Sequence, residues 1–184
     1  MSIKVEHLEF TYFEDRKNIL CDLSAEFDAG EITILTGASG CGKSTLLYLA
    51  AGIYPHSAGI LRSGSVSVEG VRPDSLTASK RCALVGMMFQ NPELQFCMDT
   101  VEHELLFCLE NICTPREEMM EKVDGALAFC EISHLKKRSL HSLSGGERQK
   151  VMLACLTLLS PKWLLLDEPF ANIDDASARM IAGK

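Results

Sequence analysis

The stretch GASGCGKST, residues 37–45, decides the fold of this chain. It matches the pattern GxxxxGK[ST], follows the apolar, β-branched run EITILT (31–36) and opens the helix-like run STLLYLAAGI (44–53). A glycine-rich loop between a strand and a helix directs its backbone N–H groups at phosphate oxygens. We therefore predict a buried strand, a phosphate-binding loop and a helix in succession. The alternative, a glycine-rich turn that ends in Lys-Ser by chance, does not explain why all three segments agree.

Two side chains of this loop have distinct predicted roles. Lys43 neutralises the β and γ phosphates of a bound nucleotide, and the hydroxyl of Ser44 is a ligand of Mg²⁺. The residues predicted to contact the nucleotide are Gly37, Ala38, Ser39, Gly40, Cys41, Gly42, Lys43, Ser44 and Thr45.

The segment WLLLDEP, residues 163–169, places two adjacent carboxylates at the end of a predicted buried strand. Because side chains alternate between the faces of a strand, Asp167 and Glu168 are expected to do different work. We assign Asp167 to Mg²⁺, directly or through water, and Glu168 to polarising the attacking water. A pair of solvated surface carboxylates is the alternative, which the phosphate-binding loop makes less attractive.

Length and composition are those of a soluble globular chain. The 184 residues suit one domain, 1–184, with 47% hydrophobic and 23% charged residues. No apolar run reaches the roughly 18 residues of a membrane span, and the first ten residues do not resemble a signal peptide, so a cytoplasmic location is expected. The net charge of −7 argues against nucleic acid as a partner. The eight cysteines stand singly, and we expect reduced thiols that mostly fill the core.

The periodicity of the chain changes from strands to helices near residue 100. Alternating or short apolar runs predict strands at IKVEHLEFTY (3–12), LRSGSVSVEG (61–70) and ALVGMMF (83–89). Thr114, Pro115 and Glu117 fit a capping box with Pro at the first helical position, ahead of an amphipathic helix. A further helix is predicted over 144–159. This order indicates an α/β core with a parallel sheet and a helical insertion at about 91–140.

The stretch SLSGGERQK, residues 142–150, poses a problem of its own. Ser144 and Glu147 fit a capping box at the start of a helix. However, Gly145 and Gly146 lie inside the cap, and each glycine costs up to about 1 kcal/mol relative to alanine. A purely structural cap gives no reason for both glycines.

Together these residues resemble the ATP-binding subunits of ABC transporters. The resemblance covers nearly the whole chain and rests on five ordered motifs: GASGCGKST (37–45), FQNPELQ (89–95), LSGGERQ (143–149), LLLDEP (164–169) and ANID (171–174). It implies an α/β P-loop NTPase core with a mainly parallel sheet, an N-terminal antiparallel β part and the helical insertion. It also implies ATP and Mg²⁺ as cofactors, and a second ABC ATPase subunit, identical or different, as a partner.

The resemblance suggests why the helix start carries two glycines. In this family two subunits pack head to tail, and Ser144, Gly145 and Gly146 of one would close over the γ phosphate held by Lys43 of the other. Bare amides allow that close approach.

Three further roles are carried over from the family by motif position. Tyr12 would stack on adenine, with a strand-end core residue as the alternative. Gln90 would sense the metal and the γ phosphate and link the site to the helical insertion. Asp174 would lie in the loop that crosses the dimer interface.

Within the family, FQNPELQF (89–96) and TVEHELLFCLEN (100–111) look most like the ATPase subunits of energy-coupling factor importers of vitamins and metal ions, with the ATPase of another bacterial importer or exporter as the alternative. In such complexes the surface near these segments receives helices of an integral membrane subunit. Leu94, Phe96 and Phe107 are therefore candidate contacts, although each one could equally pack the insertion. The resemblance implies a peripheral protein on the cytoplasmic side of the membrane.

The chain departs from the family pattern after the Asp-Glu pair, where the family's domain continues through a helix and a further strand, so we expect a domain that is incomplete at its C-terminus. The family places a histidine that holds the catalytic water further along the chain, whereas all five histidines here precede Glu168. We expect the chain to bind Mg-ATP, to hydrolyse it slowly or not at all, and to expose sheet edge. Three functions compete: a transport ATPase, an ATP-holding module with little turnover, and a soluble ABC ATPase of DNA repair or cluster assembly, which the acidic charge disfavours.

Overall fold

The computed structural model describes residues 1–169, which form two compact units that divide between Val85 and Gly86. The single domain over 1–184 stays a prediction.

The first unit contains a three-stranded antiparallel sheet in the order β2-β1-β3. Its strands are β1 (Ser2–Thr11), β2 (Leu20–Asp28) and β3 (Ile60–Val68). This sheet confirms the N-terminal antiparallel part and the strands predicted near 3–12 and 61–70, whereas β2 was not predicted. The apolar residues of β2 are separated by Asp22, Ser24 and Glu26. This sequence is too polar to be recognised as a strand without the neighbouring strand β1.

A bulge in β1 keeps its apolar side chains on one face. Ile3 and Val5 are buried at period two, His7 has a φ of 46°, and Leu8 and Phe10 are then buried again. The register shifts here against both neighbouring strands, as an extra residue in one strand requires. Gly64 lies opposite, where a Cβ atom would be 2.3 Å from the carbonyl oxygen of Glu6.

The predicted strand at residues 31–36 is absent from the described structure. This segment belongs to no sheet, and Ile32 and Ile34 are 93% and 79% exposed. A parallel strand is buried only between neighbouring strands and covering helices, and no described strand pairs with this one. The helix after the loop does form as α1 (Lys43–Ala50), and α2 (Ala78–Leu84) follows later in this unit.

The second unit packs three helices around a common core. These are α3 (Val101–Asn111), α4 (Arg116–Phe129) and α5 (Gly145–Leu159), which confirms the helices expected after residue 100 and over 144–159. Apolar residues at spacings of three and four supply the core. Its fully buried members include Val101, Leu105, Leu109, Val123, Leu127 and Val151.

Two short parallel strands, β4 (Val85–Met88) and β5 (Trp163–Leu166), complete the described fold. All of β4 is buried, as predicted. The prediction that β5 is fully buried is wrong, because Leu164 is 45% exposed. Within residues 1–169, β5 pairs with β4 alone, so part of its surface lacks a covering neighbour.

The predicted capping box at Thr114 is also wrong. Helix α4 starts at Arg116, so Pro115 is its N-cap, and no side chain caps it. Pro115 keeps an extended ψ of 135°, which places the Thr114 hydroxyl one residue too early to reach the free N–H groups of the first turn.

Most cysteines lie outside the core, contrary to the prediction. Cys130 and Cys155 are buried, Cys82 and Cys108 are half-buried, and four others are exposed: Cys21, Cys41, Cys97 and Cys113. All eight are free thiols. The exposed cysteines lie on loops or on outward-facing strand positions. At such positions the backbone directs the side chain toward solvent, whatever its hydrophobicity.

Within residues 1–169, no helix combines the length and the apolar character needed to cross a membrane.

Candidate functional site

The predicted phosphate-binding loop exposes residues 37–41 to solvent and contains glycines that a side chain would disturb. Gly40 and Gly42 have φ angles of 77° and 99°, a left-handed region that favours glycine. A Cβ atom on Gly42 would also lie 2.7 Å from Cδ2 of Leu20. The Nζ of Lys43 donates to the carbonyl oxygens of Gly37, at 2.9 Å, and Ala38, at 3.0 Å. The ammonium group is therefore held against the backbone of its own loop.

Tyr12 is tied to the end of this loop by its hydroxyl group. That hydroxyl and the Oγ1 of the buried Thr45 lie 2.8 Å apart and share a hydrogen bond. The Tyr12 ring meets Phe10 and Tyr54 edge-on, at centroid distances of 5.3 Å and 5.8 Å. Burial raises the pKa of Tyr54 to about 12, so its hydroxyl group stays neutral at physiological pH. The stacking of Tyr12 on adenine stays a prediction.

In the second unit, two predicted catalytic residues meet although they are far apart in the sequence. The Nε2 of Gln90 donates to the Oε2 of Glu168 at 2.7 Å. The strands β4 and β5 bring them together, and the N–H of Asp167 continues the pairing by donating to the Met88 carbonyl at 3.0 Å. Asp167 is buried and Glu168 is exposed, so the two adjacent carboxylates lie in different surroundings directly after β5.

The segment after Gln90 is anchored by two side chains that the sequence analysis did not single out. Gln95 accepts from the N–H of Phe89 at 2.7 Å and donates to the Met87 carbonyl at 2.9 Å, so its amide extends the edge of β4. The buried carboxylate of Glu104 accepts from the N–H groups of Cys97 and Met98, at 2.9 Å and 2.8 Å. The second glutamine in FQNPELQF was the one available signal.

The start of α5 confirms the predicted capping box. The N–H of Glu147 donates to the Oγ of Ser144 at 3.3 Å, and the N–H of Ser144 donates to Glu147 Oε2 at 2.7 Å. The hydrogen bond from the Ser144 backbone lowers the pKa of the Glu147 carboxyl. Ser144 and Gly145 are exposed and Gly146 is half-buried, so this helix start faces solvent.

Arg148, one residue after the capping box, is a further contact that the sequence analysis missed. Its guanidinium group forms an ion pair with Glu93, on the segment after Gln90. It also donates to the carbonyl oxygens of Leu140 and His141, both at 3.3 Å. Its place inside the LSGGERQ motif was the available signal.

The predicted site residues thus fall into two groups. Tyr12 and residues 37–45 lie in the first unit, whereas Gln90, residues 144–146 and the Asp-Glu pair lie in the second. Asp174 lies outside the described residues. Residues 1–169 contain no cluster of three or more histidine, cysteine or acidic residues that could hold a metal ion by itself. The predicted Mg²⁺ ligands Ser44, Gln90 and Asp167 stay a prediction.

Comparison with known sequences decides the family. The profile of the family described as ABC transporter matches residues 20–171, which is most of the chain. The chain belongs to the ABC transporter family. The order of motifs from the phosphate-binding loop to the Asp-Glu pair is therefore an ABC arrangement, as the resemblance predicted.

Curated relatives of this ABC chain are ATP-binding proteins. A Bacillus subtilis protein provisionally named HMP/thiamine import ATP-binding protein YkoD is 43% identical over 178 residues, which is 96% of this chain and 32% of that protein. An ABC transporter ATP-binding protein of Methanosarcina acetivorans, also provisionally named, is 36% identical over 97% of this chain and 28% of its own length. The chain therefore spans about a third of the length of these relatives.

Solved structures confirm the P-loop ABC fold. CbiO1 from Clostridium perfringens, described as part of the ABC transporter complex cbiONQ, is 31% identical and has a TM-score of 0.81, over 98% of this chain and 70% of that one. A dimeric ATP-binding cassette bound to ADP and Pi is 20% identical with a TM-score of 0.85, over 98% of this chain and 80% of that one, and supports the fold alone.

Proposed function

We propose that this chain is the ATP-binding and ATP-hydrolysing part of a membrane importer of the energy-coupling factor type, for a vitamin or a metal ion. The names of two relatives support this proposal, since one is assigned to HMP/thiamine import and the other to a cbiONQ complex. The observation that carries the hydrolytic part is the Gln90–Glu168 hydrogen bond at the ends of adjacent strands. In this proposal, head-to-tail dimerisation driven by ATP moves a membrane subunit.

The residues of the chain suit Mg-ATP in chemical type. Lys43 and the loop amides offer positive charge and N–H donors to the phosphates. The Ser44 hydroxyl and the buried Asp167 carboxylate are hard oxygen donors of the kind that Mg²⁺ prefers. When bound, the metal neutralises charge on the phosphates.

Glu168 is proposed as the group that polarises the attacking water. Its backbone has a φ of 50°, a conformation that costs a non-glycine residue roughly 1–2 kcal/mol. Gln90 holds the Glu168 carboxylate by one oxygen and leaves the other for a water molecule. Ser144, Gly145 and Gly146 would act on the ATP of the second subunit.

A membrane subunit is proposed to bind near the segment that follows Gln90. Leu94 is 75% exposed there, which an apolar contact residue requires, whereas Phe96 and Phe107 are half-buried. This arrangement favours Leu94 as a contact. A chain bound to a membrane subunit in this way would be a peripheral protein on the cytoplasmic side of the membrane. Co-purification with a membrane subunit would separate this proposal from a soluble ABC ATPase.

The second candidate function is an ATP-holding module with little turnover. It is supported by the exposed helix start at Ser144 and Gly145, which could act on a partner's nucleotide whether or not the chain hydrolyses its own. In this proposal the chain binds Mg-ATP, contributes Ser144 to a partner's site and turns over its own nucleotide slowly.

Steady-state ATP hydrolysis, measured together with binding of a fluorescent ATP analogue, tests these proposals. We expect binding in the unchanged chain and in Glu168→Gln, and ATP turnover that Glu168→Gln abolishes. Lys43→Ala should weaken binding at least about tenfold, because a hydrogen bond to a charged group contributes roughly 1.5–3 kcal/mol. Glu118→Gln on the exposed face of α4 is the matched control and should change neither quantity.

Unchanged binding in Lys43→Ala would contradict the proposed phosphate site. Turnover that survives Glu168→Gln would contradict the role of Glu168. Rapid turnover lost only in that variant would support the transport ATPase over the ATP-holding module.

A further inference from the structure

The ion pair between Glu93 and Arg148 joins two segments that carry different parts of the proposed site. Glu93 lies three residues after Gln90, and Arg148 lies two residues after Gly146, the second glycine of α5. Both residues belong to the second unit.

Arg148 is rigidly placed for this contact. Its side chain is only 26% exposed, and its planar guanidinium group also binds the Leu140 and His141 carbonyls just before the capping box. These contacts fix the charge relative to the start of α5. The position of the Arg148 guanidinium group is therefore tied to the position of the α5 start, and Glu93 is the side chain it binds.

Glu93 lies on the segment 90–95, which is anchored at both of its ends. Gln90 holds Glu168, and Gln95 fastens the far side of the segment to β4. Between these two anchors, Glu93 is the residue whose carboxylate reaches α5. Glu93 therefore lies on a segment that is tethered on both sides and is joined to α5 by its carboxylate.

A cleft of about 190 Å³ lies between part of this segment and the start of α5. It is lined by Asn91, Pro92, Glu93, Gly145, Arg148 and Gln149. The ion pair between Glu93 and Arg148 therefore links the two segments beside this cleft, in addition to their direct packing.

We propose that Glu93 and Arg148 are positioning residues that couple closure of the Ser144 helix start on a partner's nucleotide to the position of Gln90 beside Glu168. The inference rests on the proposed head-to-tail dimerisation. It goes beyond it by naming the ion pair that links the two half-sites within one subunit.

Dimerisation driven by ATP tests the coupling. The parent is Glu168→Gln, which keeps an oxygen acceptor for Gln90 and preserves bound ATP. Into this parent we would introduce Glu93→Gln, Arg148→Lys, both together, and Glu118→Gln. The last variant removes a glutamate from an exposed ion pair with Lys122 on α4 and is the matched control. Sedimentation as a function of ATP concentration gives the dimer fraction, and analogue binding at low protein concentration gives the affinity of the monomer.

We expect Glu93→Gln to raise the ATP concentration for half-maximal dimerisation about tenfold, within the usual range of coupling between sites. Monomer affinity for ATP should stay within about twofold, and Glu118→Gln should match the parent. The alternative is that Glu93→Gln acts only by lowering stability. An exposed ion pair changes a folding equilibrium by less than about fivefold, and unfolding in urea measures that effect. If Glu93 acts through Arg148, adding Glu93→Gln to Arg148→Lys causes no further loss beyond about twofold.

Normal dimerisation of Glu93→Gln, or full additivity of the two substitutions, would overturn the inference while leaving the proposed function intact. A parent that binds ATP without dimerising would instead overturn the proposed function, and the inference with it.

Discussion

Glu168 illustrates what a single residue contributes at this site. Its left-handed backbone turns the chain directly after the buried Asp167, so two adjacent carboxylates meet different surroundings. The hydrogen bond from Gln90 then fixes one carboxylate oxygen. A strained backbone at a proposed catalytic residue is a common association, because the strain is retained where geometry matters.

At the same scale, Tyr12→Phe separates the hydroxyl of Tyr12 from its ring. The substitution keeps the ring contacts with Phe10 and Tyr54 but leaves the Thr45 hydroxyl, in a side chain only 4% exposed, without this partner. We expect the free energy of unfolding in urea to fall by about 1 kcal/mol, as for a buried hydrogen bond that loses one partner.

The double variant Tyr12→Phe with Thr45→Val provides the control for this prediction. Replacing both partners with apolar groups should recover part of the loss, because no polar group is then buried unpaired. Equal stability of Tyr12→Phe and the unchanged chain would show that the hydroxyl contact is absent in solution.

At the scale of one element, the start of α5 is capped without help from its glycines. Ser144 and Glu147 satisfy each other's backbone N–H groups, so Gly145 and Gly146 are not needed for the cap. Their bare backbone instead stays accessible in the first turn, where the helix dipole favours an anion. This arrangement answers the question that SLSGGERQK posed and supports the proposed action on a second subunit's phosphate.

The capping box also predicts a pH dependence. Because the backbone hydrogen bond of Ser144 lowers the pKa of Glu147 in the folded chain, the ionised carboxyl stabilises the fold above its unfolded pKa. That contribution is lost as the pH falls through the unfolded and then the folded value. The unfolding free energy of the unchanged chain should therefore fall more than that of Glu147→Gln between about pH 6 and about pH 3.

Glutamine at position 147 preserves the capping geometry without the charge, which isolates the electrostatic part. Glu121→Gln, on the exposed surface of α4, controls for the general effect of removing a carboxylate. Parallel pH profiles for Glu147→Gln and the unchanged chain would contradict the prediction.

For the whole molecule, the main difference from expectation concerns residues 31–36. The apolar pattern predicts a buried strand, but no described strand pairs with this segment and its isoleucines are exposed. Local pattern thus specifies a segment that suits a strand, while burial depends on neighbours from other parts of a fold. This distinction can be tested by stability.

We expect Ile34→Thr to change the free energy of unfolding by no more than about 0.5 kcal/mol, as for a surface position. Ile3→Thr is the matched comparison, because Ile3 is 3% exposed in β1 and should lose about 2 kcal/mol or more. Urea unfolding of both variants gives the answer. Comparable losses would mean that Ile34 is buried in solution.

Local sequence by itself determined the elements whose contacts are short in range. The glycine loop before α1, the capping box of α5, the helical periods of α3 and α4 and the alternation in β1 follow from residues within a few positions of one another. The five motifs in order were also enough to indicate the family. For this reason most residues of the candidate site could be predicted from the sequence.

Only the tertiary structure decided which distant side chains meet. Gln90 contacts Glu168 because β4 lies beside β5, and Arg148 contacts Glu93 because α5 packs near the segment after β4. Strand neighbours and helix packing join residues far apart in the chain, and no local spacing encodes those distances. The same reason explains why β2, the start of α4 and the exposure of residues 31–36 differed from what the sequence alone predicted.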